Sequence, residues 1–161
     1  MTDVTIRTAT AADAGILLQL IRELAIYEKE PDKVKASEAD LLRDGFGVSP
    51  RFEAIIAESS GRPAGFALYF PNYSTWEGRP GLFVEDLFVA DWARRRGIGR
   101  RLLARLAAIA IERGWNRLDL MVLDWNPARD FYHRIGMEHR TTWLPYRLAG
   151  GDLQRLARAA T

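Results

Sequence analysis

Arg94-Arg95-Arg96-Gly97-Ile98-Gly99 lies between an apolar segment and a strongly amphipathic one. Its two glycines allow close backbone approach and positive φ, so several N–H groups can converge where the following helix begins. Those donors, together with the helix dipole, suit a pyrophosphate. Arg94, Arg95, Arg96, Arg100 and Arg101 add charge for further phosphate. A P-loop needs Gly-Lys-Ser/Thr, which the chain lacks, and a dinucleotide fingerprint needs a third Gly where Leu102 stands. The competing reading is a plain structural turn with solvated Arg side chains.

Glu85 and Asp86 sit inside the apolar run Val84 to Val89, where a buried carboxylate is costly unless partnered. Side chains alternate along a strand, so one of the pair faces a cleft unless a bulge re-aims both. There it can hold a substrate ammonium and accept its proton directly or through water. The alternatives are a salt bridge to an Arg at the core edge and exposure at a strand end. Tyr27-Glu28 reads either as an aromatic, acidic wall for a cation or as a solvated helix end. Asn126-Pro127 is helix punctuation, and the same Asn side chain can also hydrogen-bond a cofactor amide. A phenol has an ordinary pKa of about 10, so Tyr132 can serve as a general acid, or it can pack by its ring. His133 points to another helix face, and His139 lies in a turn-like stretch.

The elements that position these residues follow from periodicity. Val4 to Arg7 reads as a strand. Thr10 with Asp13 caps a helix whose Leu17, Leu20, Ile21 and Leu24 recur at helical spacing. Ser37 with Asp40 caps a shorter helix through Leu41, Leu42 and Phe46. Phe52 to Glu58 and Ala64 to Phe70 form a hairpin across Ser59-Ser60-Gly61-Arg62-Pro63. Pro71 to Gly81 is a loop with Tyr73 and Trp76, and Leu82 to Val89 is a core strand. Gly99 to Arg113 is a helix with Leu102, Leu103, Leu106, Ile109 and Ala110 on one stripe, stopped by Gly114. Leu118 to Leu123 is a strand, Pro127 to Ile135 a helix, Trp143 to Leu148 a last strand and Leu153 to Ala159 a terminal helix.

At 161 residues the chain is expected to be one α/β domain over 1–161 with a single core. The net charge of +2 leaves one dense basic run, Arg94 to Arg101, rather than a basic face, so no nucleic-acid partner is expected. Without Cys there is no disulfide, thiolate nucleophile or Cys-ligated metal, and no metal site is expected. Met1-Thr2-Asp3 opens no apolar leader segment and no apolar run reaches membrane-spanning length, so a cytoplasmic protein without a membrane partner is expected.

Taken together, these segments resemble the GNAT superfamily of N-acetyltransferases. Arg94 to Gly99 matches its Gln/Arg-x-x-Gly-x-Gly/Ala signature, and Asn126, Ala128, Tyr132 and Gly136 match its downstream pattern. The likeness is closer to the diamine acetyltransferase branch. It is carried by Ile6-Arg7, Arg22 to Lys29, Asp44-Gly45-Phe46-Gly47, Tyr73-Ser74-Thr75-Trp76, Glu85-Asp86 and Val122 to Asn126. The resemblance implies a central, mostly antiparallel mixed sheet flanked by helices. It also implies acetyl-CoA as co-substrate, a small-molecule amine as acceptor and a homodimer whose active site draws on both subunits.

It further implies that the backbone from Arg95 to Arg100 binds pyrophosphate, with Arg94 beside it, and that Leu87, Phe88 and Val89 pair with the pantetheine arm. Asn126 and Arg129 would contact the cofactor. Tyr132 would be the general acid, Glu85 would take the amine proton, and Tyr27, Glu28, Trp76, Glu85 and Asp86 would meet the amine. Two departures stand out: Arg95 replaces the usual Gly of the turn, and Ser74 replaces an Asp of polyamine enzymes, which points to a lysine-like amine. A protein lysine or N-terminal acetyltransferase, and an acyl-CoA-binding regulatory module, are the rival readings.

Overall fold

The computed structural model describes residues 3–160, so Met1, Thr2 and Thr161 of the expected domain lie outside it. The chain divides after Met121 into two compact units. In the first, Val4–Thr8 (β1), Glu53–Ser59 (β2), Arg62–Ser74 (β3), Arg79–Val89 (β4) and Leu118–Leu120 (β5) form one sheet in that order. The first four strands pair antiparallel, and β5 runs parallel to β4. Ala14–Tyr27 (α1), Glu38–Phe46 (α2) and Ile98–Glu112 (α3) flank it. This is the mixed, mostly antiparallel sheet with helices that the sequence leads one to expect.

Both predicted helix starts are built from their capping residues. The Asp13 carboxylate accepts the Thr10 N–H at 2.8 Å, although the first turn, Ala11–Asp13, is 3-10 and α1 follows it. Ser37 and Asp40 form a reciprocal box, each side chain accepting the other's N–H. Leu17, Leu20 and Leu24 of α1 are buried with Leu41, Ile56, Phe66, Leu68 and Phe88, while Ile21 packs partly buried at the edge. Each such side chain contributes about 1.5–3 kcal/mol by leaving water. On α3 the predicted stripe is buried as well, joined by Ile98. A Cβ on Gly99 would lie 3.8 Å from Val89 Cγ2. Val89 alternates with Phe88, so α3 covers the sheet face opposite α1.

Three expectations differ from the structure. The expected loop from Pro71 to Gly81 is mostly hairpin: β3 runs to Ser74 and β4 starts at Arg79, leaving residues 75–78 as the turn. Pro71 and Asn72 read locally as breakers, but pairing with Leu82 and Gly81 on β4 overrides them. The strand expected from Leu118 to Leu123 stops at Leu120.

The second unit holds Ala128–Arg134 (α4) and Gly150–Ala157 (α5), followed by a 3-10 turn over Arg158–Ala160. Here the expected strand Trp143 to Leu148 is not formed. Pro145 has no N–H to give to a ladder, and Trp143, Leu144 and Tyr146 stand 64–93% exposed. Gly136, at φ 92°, ends the α4 segment as predicted. No helix among the described residues is long and apolar enough to cross a membrane.

Candidate active site

The Gly-rich turn leaves β4 through a 3-10 turn, Asp91–Ala93, and runs into the N-terminus of α3. Gly97 is the helix N-cap at φ 74° and has no side chain to cap with, so the first N–H groups of α3 point outward without an intrahelical acceptor. Around an added Cβ, Gly97 has no atom within 4 Å, and Gly99 has only the distant Val89 methyl. Packing within the protein therefore does not require glycine at Gly99, and the space beside its backbone can admit a ligand. Arg95 takes φ 63°, the left-handed conformation that the glycine of the usual signature adopts at no cost. Arg95, Arg96 and Arg100 are exposed, with Arg96 also 6.0 Å from the Trp92 ring. Arg94 is different: half-buried, its Nε–H donates to the Val89 carbonyl at 3.1 Å.

One edge of β4 is open where a donor chain would need it. β5 pairs only with Leu82, Phe83 and Val84, so within this unit the main chain of Leu87, Phe88 and Val89 has no strand beside it on that edge. A narrow molecule carrying amides can pair there, and a pyrophosphate can follow it onto the α3 N-terminus.

The acids of β4 are placed by a bulge. Leu68 of β3 pairs with Asp86 and the next residue, Tyr69, with Val84, so Glu85 is the extra residue. Cross-strand partners share a face, which puts Val84 with Tyr69 and moves Asp86 to the α1 side with Leu68 and Phe88. There it meets the end of α1, where Glu28 is the C-cap and the Tyr27 ring lies 6.5 Å from Phe88. Burial, then the charges of Glu85 and Glu28, push the Asp86 carboxyl up to about 7. Burial also raises Glu28. Glu85 itself is exposed. Among the described residues no side chain forms an ion pair or hydrogen bond with Glu28, Glu85 or Asp86. Two crowded carboxyls of this kind are stabilised in their charged forms by a nearby cation.

Trp76 is not brought to these carboxyls within this chain. It stands 88% exposed in the turn between β3 and β4, and the seven residue steps from Arg79 to Asp86 span roughly 20 Å. Ser74, where polyamine enzymes carry Asp, accepts the Glu77 N–H and closes that turn. The hairpin is braced by a cluster that sequence reading missed. Asn72 and Arg117 both donate to the Asp119 carboxylate, at 3.0 and 2.7 Å. Gly81 was its only visible sign, since a Cβ there would sit 2.7 Å from Asn72 Oδ1.

In the second unit Pro127 is the N-cap of α4, one residue later than the punctuation suggests, and the Asn126 Oδ1 accepts the Ala128 N–H at 2.9 Å just before it. Arg129 donates to the Asp124 carbonyl at 2.7 Å, which ties the start of α4 to the segment before it. Tyr132 is half-buried on α4, its ring 5.6 Å from that of Phe131. Among the described residues no group of three or more His, Asp or Glu is placed to hold a metal ion.

The profile of the acetyltransferase (GNAT) family matches residues 17–137. The thialysine N-epsilon-acetyltransferase of Bos taurus is 40% identical over 169 residues, covering 98% of this chain and 99% of that protein. A spermidine/spermine N(1)-acetyltransferase-like protein of Homo sapiens is 41% identical over 135 residues, which is 80% of this chain and 19% of that longer protein. Among solved structures, an integron cassette protein from the mobile metagenome of V. cholerae superposes with a TM-score of 0.82 at 31% identity, covering 98% of this chain and 99% of its own. The turn, the open β4 edge and these likenesses agree: the chain belongs to the acetyltransferase (GNAT) family, on its diamine acetyltransferase branch.

Proposed function

We propose that this acetyltransferase moves acetyl from acetyl-CoA directly to a primary amine of a small molecule, either lysine-like or a diamine. The observation that carries the reading is the pair Asp86 and Glu28: two carboxyls raised in pKa, with no ion pair or hydrogen bond among the described residues, on and against the strand that leads into the donor turn. The N–H groups from Arg95 to Arg100 take the pyrophosphate, with arginine charge around them, and Leu87 to Val89 pair with the pantetheine amides. The resemblance adds Asn126 and Arg129 as further donor contacts.

The ammonium of the acceptor is held by Asp86, Glu28 and Glu85 against the Tyr27 ring. Its proton leaves through water to Glu85 or to Asp86, whose pKa near 7 is matched to base work at neutral pH. The freed amine forms a C–N bond at the thioester carbon, whose oxygen is polarised by a strand N–H of Leu87 or Phe88. As the C–S bond breaks, Tyr132 supplies a proton to the thiolate, a role assigned by the resemblance. Without Cys no acetyl-thioester forms on the protein. Ser74 favours a lysine-like acceptor over a long polycation. One domain over 1–161, a cytoplasmic location and a homodimer that brings Trp76 to the acceptor complete the reading; the family profile, running across both units, supports the single domain.

Coenzyme A release measured over lysine analogues, diamines, polyamines and peptides tests this. Saturable release with a small amine supports it. Release with peptides alone makes the chain a protein acetyltransferase, and tight acetyl-CoA binding without release makes it a binding module.

A further inference from the structure

Arg94 opens the donor turn, yet its side chain points away from the role its position suggests. Its guanidinium carbon lies 4.3 Å from the centre of the Tyr27 ring and 5.7 Å from that of Phe88. Tyr27 and Phe88 are themselves tilted ring to ring at 6.5 Å, so the three groups pack as one cluster. Two edges of the guanidinium are engaged as well: Nε with the Val89 carbonyl at 3.1 Å, and Nη1 with Asp91 at 2.7 Å. The side chain is 35% exposed, while Arg95 and Arg96 beside it are exposed. A phosphate clamp needs an arginine that offers its planar fork to solvent. Arg94 has its face and part of its fork committed inside the protein.

We propose that Arg94 is a positioning residue for the acceptor rather than a ligand of the donor's phosphates. It rivets the end of α1, which carries Tyr27 and Glu28, to the Phe88–Val89 end of β4. The amine wall and the donor edge are thereby held in one fixed relation. Its own charge is met by Asp91, and it is not among the charges that act on Asp86, so the carboxyl pair stays open to an external cation. This inference rests on the reading of Tyr27, Glu28 and Asp86 as the amine site.

Stacking, not charge alone, does the positioning, so Arg94→Lys is the discriminating variant: it keeps a cation but loses the planar face and the Nε donor geometry. In the full chain we expect the Arg94→Lys Kd for acetyl-CoA, measured by calorimetry, to stay within about threefold. We expect KM for the amine to rise about tenfold or more. Arg96→Gln, in the same turn but exposed, should do the reverse. Should Arg94→Lys fold poorly, Tyr27→Leu removes the other half of the stack and should raise the amine KM alike. Together the two substitutions should then cost little more than either alone. Hydrogen exchange without any substrate separates this inference from the functional reading beneath it. Exchange should quicken at Leu24 to Lys29 and at Leu87 to Val89 in Arg94→Lys. Unchanged exchange there overturns the positioning role whether or not any amine is acetylated. Weakened acetyl-CoA binding with an unaltered amine KM overturns it too, and returns Arg94 to the phosphates.

Discussion

Asp86→Asn separates what Asp86 costs the fold from what it gives the reaction. The folded protein holds this carboxyl at about 7, against an ordinary value of 3.8, mainly because burial disfavours its charge. One pKa unit corresponds to about 1.4 kcal/mol, so ionised Asp86 destabilises the fold by at most about 4 kcal/mol. Contact of its oxygens with water lowers that ceiling. The sign follows from proton counting. Between pH 4 and 7 the native state keeps a proton that the unfolded chain has lost, so stability falls as pH rises through that window and is level above it.

Asparagine has nearly the same shape and no charge. At pH 4 the two proteins should therefore unfold alike, and at pH 8 the variant should be the more stable by up to about 4 kcal/mol, or roughly 8–16 °C in Tm. A diamine should raise the Tm of the parent at pH 8 more than that of the variant, which keeps Glu28 and Glu85 but offers the ammonium one carboxylate fewer. In kcat/KM for the amine, the parent should show an inflection near 7 that the variant lacks. Thermal unfolding from pH 4 to 8, with and without amine, reads all of this. A stability difference that is constant across that range refutes the account of Asp86 as a carboxyl held against its preference.

Arg95→Gly relaxes a left-handed residue and should raise stability by about 1 kcal/mol in thermal unfolding, acetyl-CoA binding being retained. Asp13, buried and held near 2 by Arg7, contributes about 2 kcal/mol that is present above pH 4 and lost as pH falls toward 2. Asp13→Asn should accordingly lose that amount at pH 7, with the gap closing in acid when unfolding is followed by circular dichroism. Gly65→Ala should cost about 3 kcal/mol or more, because its Cβ would fall 2.5 Å from the Phe88 carbonyl oxygen, and backbone on both sides cannot yield. Tyr132→Phe should keep acetyl-CoA affinity in calorimetry and lower turnover by about 10²–10⁴-fold; unchanged turnover removes Tyr132 from the acid role.

The structure of the proposed donor half of the site was legible because its signals are local. Two glycines, an arginine run and an amphipathic stripe from Leu102 to Ala110 lie within a short stretch, and each has a direct structural counterpart. The capping pairs Thr10-Asp13 and Ser37-Asp40 are local in the same way. The acceptor half was not legible to that depth. Alternation along the strand says that Glu85 and Asp86 point apart, and only the register against Leu68 and Tyr69 decides which turns toward Glu28. Arg94 looks like one arginine of five until Tyr27, far earlier in the chain, is found beneath it. Trp143 to Leu148 alternates like a strand, but a strand exists only where a neighbour supplies its ladder.

β4 shows why the two halves are joined in one strand. Before the bulge its Leu82 and Val84 are buried like any core residue. After it, the same strand bears a carboxyl held near 7 on one face and an open edge at Leu87 to Val89, then ends in a turn whose Arg95 sits at φ 63°. Each departure lowers stability and each falls within about ten residues. Asp86 can be raised in pKa because the apolar packing of Phe66, Leu68 and Phe88 fixes it there. The edge can stay open because β3 secures the other side of β4 along its length. The regular part of the sheet thus holds β4 in a state that neither an isolated hairpin nor a straight strand would keep, and in the proposed reaction an ammonium at Asp86 would offset the cost of its buried charge.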